Sequence, residues 1–279
     1  MISWGYHRLV VLVTNDDGVF SEGLAALCSE LEKQDGAEVF VVAPDRERSA
    51  SGHAITMHQP LRVDEVNIET TRIRPAWAVS GTPADCTKLA VKALLPKMPD
   101  IVVSGINRGP NLGTDVFYSG TVSAAIEAAM MGIPALAVSV AAYENIDYSL
   151  AARFSAHVVK TVSERKLPAG TILNINVPGL PASEVAGVAI TSLGKSRFSD
   201  RFEKRLDPRG RAYYWLTGEL VVLDDGPDTD VGAISRNLIS LTPVHLDLTS
   251  RDLIKTVCDW SISIPDMPTS GQSGCEIKE

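Results

Sequence analysis

The tightest constraint on this chain lies near its start. Leu9–Thr14 reads Leu-Val-Val-Leu-Val-Thr, an unbroken apolar run rich in β-branched residues. A strand with one wet face alternates apolar and polar residues. A continuous run is the pattern of a strand covered on both faces, as in a parallel sheet flanked by helices. The run ends in Asn15-Asp16-Asp17-Gly18. In open α/β sheets, ligands sit outside the carboxyl ends of the strands. Asp16 and Asp17 therefore stand where a site would be. Adjacent like charges repel unless a cation lies beside them. A hard divalent metal such as Mg²⁺ or Mn²⁺, which prefers oxygen ligands, is the simplest such cation. The competing reading is a turn, because Asn-Asp-Asp-Gly suits one and Asp can cap a following helix.

Strand-like and helix-like patterns alternate through the first two-thirds of the chain. Strands are expected over residues 39–43, 101–103, 135–140 and 172–177, and helices over 21–33, 82–95, 119–131 and 148–165. This alternation predicts right-handed βαβ units and an α/β, doubly wound, mostly parallel sheet. The pattern changes after Pro181. Residues 195–205 are basic with interleaved Phe198 and Phe202, residues 211–216 and 220–223 are strand-like, and residues 239–244 suggest a final strand. The acidic stretch holding Asp224, Asp225, Asp228 and Asp230 could bind a cation, with a solvated turn the favoured reading. The expected organisation is an N-terminal extension (1–8), a catalytic core (9–181), a β-rich C-terminal extension (182–264) and a disordered tail (265–279).

Composition narrows the functional classes. With 26 basic and 34 acidic residues the formal charge is −8, which argues against binding a nucleic-acid duplex or an anionic membrane. No apolar stretch approaches the length of about 20 residues that a membrane span requires. The first eight residues hold no signal-peptide core, and the four cysteines form no CxxC pair, with Cys28 and Cys86 expected as buried thiols. Together these features point to a cytoplasmic protein.

Three further loops carry candidate chemistry. Ser49 follows the second strand and could complete a metal shell, although a loop serine bonding its own backbone is the favoured reading of that residue alone. Arg46, Arg48 and His53 nearby could meet an anion or form a solvated charge cluster. Residues 104–113 form a glycine- and asparagine-rich loop after a buried strand. There Gly105 permits close backbone approach, while Asn107 and Asn111 offer neutral oxygens. A purely structural loop of that length is unusual in a compact domain. Ser119-Gly120-Thr121 opens a helix, where free N–H groups and hydroxyls make a phosphate cradle. An ordinary Ser/Thr cap is the plainer alternative. The segment is neither a Walker A loop nor a dinucleotide fingerprint. Combined with the metal candidates, it points to phosphoryl chemistry.

These motifs follow one another in order: Thr14-Asn15-Asp16-Asp17-Gly18, Ala43-Pro44-Asp45-Arg46-Glu47-Arg48-Ser49, Ser80-Gly81-Thr82-Pro83-Ala84-Asp85-Cys86, Ser104-Gly105-Ile106-Asn107-Arg108-Gly109 and Tyr118-Ser119-Gly120-Thr121. From about Leu9 to about Thr249 the sequence resembles the SurE family of stationary-phase survival proteins, which are divalent-metal-dependent 5′-nucleotidases. The resemblance implies a Rossmann-like core and a C-terminal extension exchanged between subunits of a homodimer or homotetramer. It implies one divalent cation per subunit, Mg²⁺ or Mn²⁺, held by Asp16, Asp17, Ser49 and Asn107, with Asp16 and Asp17 also catalytic. Phosphate and substrate contacts are expected from Asn15, Gly105, Asn111, Ser119, Gly120 and Thr121. The expected reaction is hydrolysis of a nucleoside 5′-monophosphate to nucleoside and phosphate, with 3′-nucleotides and short polyphosphate as further substrates. The alternative is a nucleotide-binding sensory module without turnover. A covalent Asp16 nucleophile ranks lower, because such enzymes use Asp-x-Asp rather than adjacent acids. The first eight residues and the tail after about Trp260 depart from the family pattern.

Overall fold

The computed structural model describes residues 8–68, 76–198, 201–217, 220–224, 226–260 and 262. The chain divides into a large unit ending at Leu246 and a short one beginning at Asp247. Residues 1–7 and the tail expected over 265–279 lie outside the described residues.

In chain order the large unit contains β1 (Leu9–Thr14), α1 (Glu22–Leu31), β2 (Ala37–Pro44), β3 (Val63–Val66), β4 (Ala76–Val79) and α2 (Pro83–Leu89). It continues with β5 (Ile101–Arg108), α3 (Gly120–Met130), β6 (Ala135–Ala141), α4 (Ser149–Arg165) and β7 (Thr171–Pro178). Next come β8 (Gly187–Ile190), β9 (Lys195–Phe198), β10 (Arg201–Leu206), β11 (Ala212–Thr217), β12 (Leu220–Asp224), α5 (Asp230–Ser235) and β13 (Leu238–His245). The short unit holds α6 (Arg251–Asp259), a helix that the sequence reading did not anticipate.

Nine strands form one sheet in the order β3-β4-β2-β1-β5-β6-β7-β13-β8. From β4 to β7 every neighbouring pair is parallel. The antiparallel pairs are β3 with β4 and β13 with β7, so the sheet is mixed but mostly parallel. Two strands from beyond Pro181, β13 and β8, thus extend this sheet. The rest of that region forms two separate antiparallel ribbons, β9 with β12 and β10 with β11.

Packing explains why β1 is apolar on both sides. Val11 and Val13 sit in one buried cluster with Leu24, Leu27 and Leu31 of α1 and Ala152 and Val159 of α4. Leu12 sits in a second cluster with Cys86 of α2 and Val122 and Ala125 of α3. Each such buried aliphatic side chain contributes about 1.5–3 kcal/mol. The chain leaves β1 for β2 on one side and later returns to β5 on the other. This reversal beside β1 is the crevice where α/β sheets bind ligands.

Local signals set the helix starts. Ser21 caps α1 by accepting the Leu24 amide, and Ser119 caps α3 by accepting the Val122 amide. α2 opens with a capping box: the Thr82 hydroxyl accepts the Asp85 N–H while the Asp85 carboxylate accepts the Thr82 N–H. The α-helix expected over 82–95 is regular only to Leu89. Ala90–Leu94 then widens into a π-helical turn, closed by the Leu95 amide on the Ala90 carbonyl at 2.9 Å.

Candidate active site

The acid loop is shaped from below by Asn15, which is fully buried. Its amide nitrogen donates to the Gly18 carbonyl at 2.9 Å and to Ser21 Oγ at 2.6 Å, and its oxygen accepts the Gly18 amide at 3.2 Å. Asn15 is committed to holding the turn. Gly18 makes that turn at φ +101°, where a Cβ would lie 3.2 Å from the Arg46 backbone. The turn presents Asp16 and Asp17 with different surroundings. Asp16 is 4% exposed, and Thr121 Oγ1 donates to its Oδ1 at 2.5 Å. Burial pushes its carboxyl up to about 6 against the pull of the Thr121 hydrogen bond, with the Asp17 charge raising it further. Asp17 is half-buried and accepts the Arg108 amide at 3.2 Å. Burial raises its pKa too, opposed by Arg108.

The other loops are fastened to these acids through residues next to the expected ligands. The amide of Arg48, which precedes Ser49, donates to the Asp16 carbonyl at 2.7 Å. The amide of Arg108, which follows Asn107, is the donor to Asp17. The Ser49 hydroxyl itself donates to the exposed Glu47 at 2.7 Å, which leaves its lone pairs for another partner. Asn107 emerges from a register shift between β5 and β6 at Ser104/Asn107. At that shift Gly105 runs so close to β6 that a Cβ would fall 2.4 Å from the Val138 carbonyl oxygen. The Asn107 amide nitrogen donates to the Gly109 carbonyl at 2.8 Å, turning the side-chain oxygen the other way.

The start of α3 closes the site. A Cβ on Gly120 would lie 2.8 Å from the Asp16 Cβ and 2.9 Å from its Oδ2, so only glycine lets the helix end come this near. Ser119 spends its hydroxyl on the cap, and Thr121 spends its proton on Asp16. Asn111 is drawn inward instead. Its amide nitrogen donates to Ser139, its backbone amide to Asn176, and its carbonyl accepts from Asn174 and Asn176. The structure therefore brings Asp16, Asp17, Gly120, Thr121 and the Ser49 and Asn107 segments to one place. Asn15 and Asn111 serve as internal braces.

Several residues have contacts that the sequence reading did not anticipate. Thr14, at the end of β1, and Ser104, midway along β5, are register neighbours, fully buried, with hydroxyls that find no partner among the described residues. His53 is joined to Glu127 of α3. Asp230, expected in a solvated turn, is fully buried and ties distant backbone amides together. Its short range gave no signal, because both partners lie far away in sequence.

Among the described residues no cluster of three His, Cys, Asp or Glu side chains is placed to hold a metal. Here two carboxylates would be joined by a serine and an asparagine oxygen, a set that fits a hard divalent ion. Asp16 adds the physical motive: it is buried, sits beside a second acid, and pairs with no basic side chain among the described residues. The residues fit the group.

Residues 11–200 match the family model described as Survival protein SurE. The chain belongs to the SurE family. A 5′-nucleotidase SurE of Symbiobacterium thermophilum is 51% identical over 254 residues, covering 91% of this chain and 99% of the relative. One from Moorella thermoacetica is 54% identical over 242 residues, covering 87% and 92%. The crystal structure of a SurE protein from Aquifex aeolicus superposes with a TM-score of 0.78 at 38% identity, covering 91% of this chain and all of that one. The α/β sheet and its reversal beside β1 are thus the SurE-family architecture in this chain.

Proposed function

We propose that this SurE-family chain is a divalent-metal-dependent 5′-nucleotidase that hydrolyses nucleoside 5′-monophosphates to nucleoside and phosphate. The observation that carries the reading is the buried Asp16 carboxylate, beside Asp17 and without a basic partner, where three loops converge. Relatives that share about half of its sequence over nearly their full length carry the name 5′-nucleotidase. Asp16, Asp17, Ser49 and Asn107 would hold one cation per subunit, Mg²⁺ or Mn²⁺. Such a cation polarises phosphoryl oxygens and acidifies water.

The chain's own groups supply the rest. The Gly120 and Thr121 amides open α3 ahead of its intrahelical bonding and face an anion favourably, so they bind phosphate oxygens. Thr121 holds the Asp16 carboxylate in one orientation. Asp17, the more exposed acid, keeps one oxygen free of Arg108 and is the better placed to orient the attacking water and take its proton. Ser119 sets the start of α3, Asn15 and Asn111 hold their loops, and Gly105 gives Asn107 its place. A homodimer or homotetramer built through the region 182–264, a cytoplasmic location, and activity on 3′-nucleotides and short polyphosphate complete the proposal. No helix among the described residues is long and apolar enough to cross a membrane.

A phosphate-release screen over nucleoside monophosphates, with Mg²⁺, Mn²⁺ or chelator, tests the reading. Release that requires a divalent ion is expected. Nucleotide binding without release in every metal would favour a sensory module instead.

A further inference from the structure

The segment between β2 and β3, residues 45–62, carries Ser49 and contains no helix or strand. Its leading end is fastened by the Arg48 amide on the Asp16 carbonyl. Four residues beyond Ser49, His53 Nε2 lies 3.0 Å from Oε2 of Glu127. Glu127 is 3% exposed and belongs to α3, the helix whose start abuts Asp16. Its other oxygen, Oε1, lies 3.0 Å from Lys88 Nζ of α2. A buried carboxylate requires partners on its oxygens. Glu127 gives one to a strut between α2 and α3 and the other to the Ser49 segment. Neither is used by the chemistry described above.

Between the two ties the chain turns through Ala50 at φ 53° and Gly52 at φ 55°, a short span with both ends held. The Ser49 hydroxyl bonds within the segment, whereas His53 reaches across to another element. A backbone bond from Gly52 to the Tyr118 carbonyl at 3.0 Å runs alongside. A hydrogen bond to an ionised carboxylate is the stronger of the two.

We propose that His53 is a positioning residue: gripped by Glu127, it fixes the segment that presents Ser49 to the Asp16–Asp17 site. The proposal rests on reading Asp16, Asp17, Ser49 and Asn107 as metal ligands. Partners that orient a ligand from behind typically cost about 10–100-fold in metal affinity when removed.

The test is Mn²⁺ binding to the full-length chain, followed by electron paramagnetic resonance and calorimetry without substrate. His53→Ala should weaken binding about tenfold. His53→Gln, whose amide can still donate to Glu127, should restore most of the loss. Lys88→Met, which removes the other partner without touching the segment, should bind like the parent. In a Ser49→Ala background, His53→Ala should add nothing further. Unchanged affinity in His53→Ala, an equal loss in Lys88→Met, or additive losses with Ser49→Ala would each overturn the positioning role. Asp16→Asn separates the two levels. If it loses Mn²⁺ while His53→Ala keeps it, only the positioning role fails. If it binds Mn²⁺ like the parent, the metal site fails with it.

Discussion

Two buried carboxylates, Asp16 and Asp230, carry the same chemical group into the same core and are treated in opposite ways. Asp230 is fully buried and accepts three backbone amides: Gly113 at 2.8 Å, Gly194 at 2.7 Å and Val231 at 2.9 Å. It stitches the loop before α3 to the region after β8. Asp16 is 4% exposed, and the side-chain hydrogen bond it receives comes from the Thr121 hydroxyl, with a second acid as its chain neighbour. Asp85 resembles Asp230: burial pushes its pKa up, but hydrogen bonds from Thr56 and Thr82 outweigh this and hold the carboxyl below its usual range. A carboxylate that the fold uses for its own cohesion arrives with donors. Asp16 arrives with too few to offset its burial, chiefly the Thr121 hydroxyl, and on the metal reading its charge serves a cation.

The largest effect should come from removing that charge. Asp16→Asn or Asp17→Asn should lower kcat at least ~10²-fold, the scale of losing a positioned acid or base. Circular dichroism should show the fold unchanged. Full activity in either variant would erase the distinction between Asp16 and Asp230. The mirror experiment is Asp230→Asn. It turns an amide group toward backbone donors and leaves at least one unpaired, so urea denaturation should show a loss of about 3 kcal/mol. Activity per folded molecule should persist.

A pH series sharpens the contrast. The Asp16 carboxyl, at about 6 in the folded chain against an ordinary value of 3.8, holds its proton more tightly folded than unfolded. Ionised Asp16 therefore costs stability above pH 6, and the cost fades as pH falls toward 4. In chelator, Asp16→Asn should be more stable than the parent by about 3 kcal/mol at pH 7.5, with the gap closing between pH 6 and 4. A gap that persists at pH 4 would assign the gain to something other than charge. The smallest effect concerns approach. Gly120→Ala should lower kcat about tenfold by pushing α3 away from Asp16, with an overpacking cost of about 1–3 kcal/mol in urea denaturation.

Much of this was legible in the sequence, and the reasons are local. The run Leu9–Thr14 shows a two-sided burial because Val11 and Val13 pack with α1 and α4 on one face while Leu12 packs with α2 and α3 on the other. Ser21, Thr82 and Ser119 announce the helix starts through their own hydroxyls. What escaped depends on distant partners. Asp230 lies in an Asp-, Gly- and Pro-rich stretch that looks solvated, and its meaning comes from Gly113 and Gly194. His53 looked like part of a surface charge cluster until Glu127, on another element, met it. Asn111 offers a free-looking amide in sequence, yet Ser139, Asn174 and Asn176 consume its polar groups. Asp16, Asp17 and Asn107 were visible as candidates because loop chemistry at strand ends is short-range, whereas Ser49 alone read as an ordinary loop serine and became a candidate only through the family resemblance. Which of the polar loop residues brace the loops, as Asn15 and Asn111 do, was not visible.

The most direct test is a thermal melt of the parent and Asp16→Asn, each in chelator and in Mn²⁺. In chelator the variant should melt higher, because it lacks a buried unpaired charge. With Mn²⁺ at about 1,000 times its Kd, the parent should gain about 4.1 kcal/mol, a rise of roughly 8–16 °C, and overtake the variant, whose melting point should stay in place. That crossing is the predicted result. An equal Mn²⁺ shift in both proteins, or none in the parent, would contradict the claim that Asp16 is held in reserve for a metal ion.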